Sequence, residues 1–131
     1  MIDDDPDDRS IFTMALESAD ASYECITAKN GLDAMDVIKT HPEFVPDFIF
    51  IDLNMPLMSG KETLQEIKSN TQFSGVPVII YTTSSYRKDI EETKNMGATH
   101  FLVKPPRISS LIDMLAGILH KNGFEYYISA E

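Results

Sequence analysis

The sequence predicts a single α/β domain whose sheet is parallel and covered by helices on both faces. Two observations carry that reading: short, almost wholly apolar runs alternate with longer amphipathic ones, and 131 residues suit one domain. Parallel strands need long crossover connections, usually helices, and a strand buried on both faces reads as a continuous apolar run. A third observation is that Asn30-Gly31, Ser59-Gly60, Met96-Gly97 and Asn122-Gly123 fall at the joins, where turn chemistry belongs.

Taken in order, the first helix is expected over residues 8–19, where Ile11, Phe12, Ala15, Leu16 and Ala19 recur at helical spacing. An alternating fold needs a strand in front of that helix. Only Met1-Ile2 precede the acids, so the first strand is largely missing and residues upstream of Met1 are expected. Residues 23–28 are half polar and read as an edge strand, with Cys25 a small buried hydrophobe in it. Leu32, Met35 and Ile38 mark a helix over 32–39, and Phe48-Ile49-Phe50-Ile51 a fully covered strand. Leu64 and Ile67 mark a helix over 61–68, followed by an apolar strand at 76–81 and a helix at about 87–96. Phe101-Leu102-Val103 is the last strand, and Leu111, Ile112, Leu115, Ile118 and Leu119 define the last helix, 108–120. Residues 1–121 therefore form the domain. The tail 122–131 is too short for an output domain and is expected to pack back, with an added edge strand or a role in dimerisation as alternatives.

Composition narrows the function classes. At 43% hydrophobic and 24% charged the chain can bury a core, which excludes a disordered reading. Eleven basic against 21 acidic residues give a net charge of −10, which repels nucleic acid and anionic membrane. No apolar run approaches the roughly 18 to 20 residues of a membrane span. The single cysteine fits a reducing compartment, so a soluble, cytoplasmic protein is expected.

Chemistry is sought where open α/β sheets bind ligands, outside the carboxyl ends of the strands. Those ends carry Asp3-Asp4, Asp52, Thr82-Thr83 and Lys104. Crowded carboxylates repel one another unless a cation intervenes. Magnesium suits oxygen ligands shared with a phosphate, whereas zinc lacks its usual donors, because His41, His100 and His120 show no ligand spacing. With Mg²⁺ beside them, Asp52 becomes a carboxylate nucleophile that forms an acyl phosphate, Lys104 a point charge for a phosphoryl oxygen, and Thr82 a hydroxyl donor. Asp7 and Asp8, following Asp5-Pro6, read instead as acids at a helix start.

These residues resemble the receiver domain of bacterial two-component response regulators, of the stand-alone, chemotaxis-regulator-like kind. The motifs are Ile2-Asp3-Asp4, Ile51-Asp52-Leu53-Asn54-Met55-Pro56 leading to Ser59-Gly60, the strand ending at Thr82, Gly97-Ala98, and Phe101-Leu102-Val103-Lys104-Pro105. Spacing agrees: 48 residues from Asp4 to Asp52, 30 to Thr82 and 22 more to Lys104. The resemblance implies a flavodoxin-like α/β/α fold, five parallel strands in order 2-1-3-4-5 with five helices. It also implies that Asp52 is the phosphoacceptor, and that Asp3, Asp4, Asp52 and the backbone of Asn54 hold Mg²⁺. Thr82 and Phe101 become the switch pair, Asn54 and Ser84 the positions that tune acyl-phosphate lifetime, and the Lys104-Pro105 bond is expected to be cis. The implied partners are a sensor histidine kinase or histidine phosphotransfer protein and a downstream protein target, with no direct nucleic acid or membrane binding. The implied state is a monomer or a phosphorylation-dependent dimer that turns over no external substrate. Thr82-Thr83-Ser84-Ser85 is similar to small receivers serving sensor kinases such as phytochromes. The rivals are a carboxylate-nucleophile phosphatase, which expects an acid where Asn54 stands; a flavodoxin-like cofactor binder, which expects a Ser/Thr/Gly-rich phosphate loop where Asp3 to Asp8 would instead repel phosphate; and a degenerate receiver acting as a scaffold.

Overall fold

A computed structural model describes residues 1–121 and 123–130. Five helices alternate with the strands as expected: α1 (Pro6–Ala19), α2 (Gly31–Thr40), α3 (Gly60–Ser69), α4 (Arg87–Asn95) and α5 (Ile108–Leu119). Their starts have local causes. Asp5 caps α1 by accepting from the Asp7 amide with Pro6 in the first turn, and Asn30 caps α2 by accepting from the Asp33 amide. Ser59 and Glu62 form a capping box at α3.

The strands are β1 (Ile49–Ile51), β2 (Val78–Thr82), β3 (His100–Val103) and β4 (Tyr127–Ile128), all parallel and in the order β1-β2-β3-β4. Every residue of β1 and β2 is buried because the pleat sends alternate side chains to two separate cores. Ile49, Ile51, Val78, Ile80 and Phe101 enter one core with Leu64 and Ile67 of α3. Phe50, Ile79, Tyr81 and Leu102 enter the other with Phe12 of α1 and Leu115 of α5. Each fully buried side chain of this size contributes about 1.5–3 kcal/mol, so both layers are needed to hold the middle sheet.

One expectation about strands is corrected. Residues 23–28 form no strand: only Ala28 pairs, in a single bridge to Ile2, which bridges Ile51 on its other side. A ladder needs a partner of matching length, and only Met1 and Ile2 lie between these segments. A groove of about 800 Å³ opens there, lined by residues that include Tyr23, Ile26, Val45 and Phe48. The spatial order 2-1-3-4-5 survives as those bridges followed by β1, β2 and β3, but five strands do not form among the described residues. Cys25 is half-buried and outside any strand.

The tail packs back on the domain and supplies β4, the edge strand that was one alternative for it. The Phe101 amide donates to the Tyr126 carbonyl at 2.7 Å, and Phe124 packs on Gly117. The Asn122-Gly123 turn falls partly outside the described residues, since Asn122 is not among them. At Met96-Gly97 the glycine takes φ +98°, a region side-chain-bearing residues resist, and turns the chain from α4 toward β3.

Candidate functional site

Two segments deliver three carboxylates to one rim. Asp52 follows β1 immediately and is 6% exposed; Asp3 follows the Ile2 bridge and is fully buried; Asp4, next to it, is exposed. One oxygen from each of the three lies within 4.8 Å of the others. Gly60 fixes the loop after Asp52, since a β-carbon there would collide with the Asp52 carbonyl oxygen.

Lys104, just past β3, reaches into this cluster. Its Nζ donates to Asp3 Oδ2 at 2.7 Å and to Asp8 Oδ2 at 2.8 Å, and lies 3.7 Å from Asp52 Oδ2. Its amide donates to the Thr82 carbonyl at 2.8 Å and its ammonium sits 5.1 Å from the Tyr81 ring centroid. The Lys104-Pro105 bond is trans, against expectation. Trans is the lower-energy isomer by about 0.5–1 kcal/mol, and the lysine is held by these five contacts rather than by the isomer of the bond that follows.

Burial works against the charge on Lys104, but the hydrogen bonds to Asp3 and Asp8 outweigh it and raise its pKa. Burial pushes Asp52 up to about 6; Lys104 opposes this, Asp3 adds to it, and hydrogen bonds from the Thr82 side chain and the Asn54 backbone lower it. Tyr81 is raised chiefly by burial.

The sequence-derived residues mostly converge. Asp3, Asp4, Asp52, Thr82 and Lys104 share the rim, with Asn54 exposed at its mouth. Thr82, fully buried, ends β2 beside Val103. Ser84 stands one step out, its amide 3.3 Å from Thr82 Oγ1. Phe101 is fully buried in the core beneath α3, its ring 6.1 Å from that of Tyr127. Asp8 was missed as a site residue. It does lie in the first turn of α1, as its sequence context implied, yet it also shares the Lys104 ammonium.

The donor set fits a hard divalent ion: three carboxylates, no thiolate and no imidazole, in a site where uncompensated carboxylates repel. A doubly wound sheet with acids and one lysine gathered at its carboxyl rim defines a receiver-type signalling domain. The response regulator receiver domain family matches residues 1–116, and the chain belongs to that family. Response regulator Rcp1 of Synechocystis is 29% identical over 122 residues, 90% of this chain and 83% of its own length. The structure of the phosphorylated cyanobacterial phytochrome response regulator RcpA superposes with a TM-score of 0.79 at 29% identity, covering 89% of this chain and 86% of the other. That of Rcp1 in its Mn²⁺-bound form gives 0.77 at 28%, covering 89% and 87%.

Proposed function

We propose that Asp52 is a phosphoacceptor, charged by a histidine kinase or histidine phosphotransfer protein in the cytoplasm, and that the product signals by docking to a protein target. The observation that carries this reading is a nucleophile-capable carboxylate, 6% exposed, set 3.7 Å from a lysine and among two further carboxylates. An Asp52 oxygen forms the new O–P bond as the donor's N–P bond breaks; the departing imidazole nitrogen keeps that electron pair and ends protonated by solvent. Lys104 neutralises one phosphoryl oxygen and the Thr82 hydroxyl donates to another. Asp3, Asp4, Asp52 and the Asn54 carbonyl would hold Mg²⁺, which when bound neutralises charge between the carboxylates and the phosphoryl oxygens. The naming of one relative as phosphorylated and another as Mn²⁺-bound supports both parts.

Thr82 and Phe101 then form the switch. Drawing Thr82 toward the new oxygens pulls on the end of β2, beside the last residue of β3, and Phe101 lies two residues back along β3. Asn54 and Ser84 flank the acyl phosphate and set its lifetime. Residues 1–121 make up the receiver, and residues 123–130 pack back on it through β4 and Phe124.

Incubation with acetyl phosphate and Mg²⁺ followed by intact-mass measurement tests this. One added phosphoryl group is expected on the wild type and none on Asp52→Asn; equal addition to both, or none to either, overturns it.

A further inference from the structure

Behind the reacting atoms, a chain of polar contacts ties the loop after Thr82 to the helix that follows Asp52. Asp89, in the first turn of α4, has both carboxylate oxygens engaged. Its Oδ2 accepts from the Ser84 hydroxyl and its Oδ1 from Lys61 Nζ, each at 2.7 Å. Lys61, in the first turn of α3, also donates to Glu92 Oε2 at 2.6 Å. Ser84 is held on two further sides: its amide donates to Thr82 Oγ1 and its hydroxyl oxygen accepts from the Tyr86 amide, both at 3.3 Å.

These contacts differ in kind from the ordinary surface pairs nearby. Asp89 and Lys61 are 22% and 29% exposed at the side chain, whereas the neighbouring Arg87–Glu91 pair is 91% and 66% exposed and 3.4 Å apart. An exposed helical pair of that sort contributes little. A half-buried carboxylate whose oxygens each take a short hydrogen bond is a geometric constraint as well. Lys61 also directly follows Gly60, the residue packed on the Asp52 carbonyl, so the ties join the segments that follow Asp52 and Thr82.

The consequence falls on the Thr82 hydroxyl, which has one proton and two lone pairs. With the Ser84 amide on the oxygen, the proton is left for an acceptor on the rim that Thr82 shares with Asp52. We propose that Asp89, locked by Lys61, is a positioning residue for Thr82: by anchoring Ser84 it keeps the threonine proton aimed at Asp52 and at the phosphoryl oxygen that Asp52 acquires. The proposal rests on Asp52 as phosphoacceptor and adds two residues, Lys61 and Asp89, that touch neither the phosphoryl group nor the metal ligands.

The test is the rate of phosphorylation by acetyl phosphate with Mg²⁺ in four proteins: wild type, Asp89→Ala, Thr82→Ala and the double variant. Asp89→Ala is expected to slow the wild type by about three- to tenfold, the range one hydrogen bond spans in a rate. In the Thr82→Ala background the same change should have no effect, and Asp89→Asn, which keeps an acceptor for Ser84, should recover most of the rate. Equal slowing in both backgrounds marks a merely structural residue and overturns the proposal, as does an unchanged rate in Asp89→Ala. If the wild type takes up no phosphoryl group, the functional reading falls by itself, and amide hydrogen exchange of metal-free protein decides the positioning role separately. Ser84 should exchange faster in Asp89→Ala than in wild type, and unchanged exchange overturns the proposal.

Discussion

Asp52 is the residue on which the chemistry and the stability of this protein pull in opposite directions. Burial favours its neutral form, with Lys104 working the other way and Asp3 adding to burial, and its pKa stands at about 6. An unfolded aspartate titrates near 3.9, so between those values the folded state binds the extra proton and this group adds stability as pH falls. In metal-free protein the charged Asp52 therefore costs about 2–3 kcal/mol at pH 7, at roughly 1.4 kcal/mol per pKa unit. Asp52→Asn is expected to raise the unfolding temperature at pH 7 in the presence of a chelator, and to narrow that gain toward pH 5. A variant less stable than wild type at pH 7 in thermal unfolding contradicts this. Asp52, Thr82 and Lys104 were legible as residues because each ends an apolar strand. The second role of Asp8 was not, because a helix start already accounts for an acid there; only the fold brings it 2.8 Å from Lys104 Nζ.

At the scale of elements, legibility followed local causes. Four of the five helices carry their apolar positions at helical spacing, whereas α4 has only Ile90 within its bounds; β1 to β3 are apolar runs bounded by polar residues or turns. Residues 23–28 read as a strand because their composition permits one, but composition does not supply a pairing partner, and Met1-Ile2 provides a single bridge. β4 was legible only as one alternative for the tail, since two residues carry no period and its pairing comes from β3. The tail is fastened beyond its backbone: the Tyr126 hydroxyl and Thr93 Oγ1 of α4 are 2.7 Å apart, and Lys94 Nζ lies 5.7 Å from the Tyr126 ring centroid. Thr93 also donates to the Asp89 carbonyl, so it keeps a partner when the tyrosine hydroxyl is removed. Tyr126→Phe should cost about 0.5–1.5 kcal/mol, the net worth of one such hydrogen bond, read as a lower urea midpoint with an unchanged slope. An unchanged midpoint would show that the tail is held by its backbone and apolar contacts alone.

For the molecule as a whole, the net charge of −10 is informative through its distribution. Asp3, Asp4 and Asp52 are gathered within reach of one ion, Asp3 and Asp8 share Lys104, and Asp89 and Glu92 share Lys61. Two cores on opposite faces of one parallel sheet hold these groups in place, and the sheet's carboxyl rim is where they meet. Among the described residues no helix is long and apolar enough to cross a membrane. The central claim is that this rim makes an acyl phosphate at one particular carboxylate. Borohydride reduces an acyl phosphate to an alcohol and leaves free carboxylates intact, so it records where the phosphoryl group stood. Protein treated with acetyl phosphate and Mg²⁺, reduced and mapped by peptide mass spectrometry, should show Asp52 converted to homoserine and Asp3, Asp4 and Asp8 unchanged. Conversion at Asp3, Asp4 or Asp8 in place of Asp52, or at no aspartate, would contradict the account.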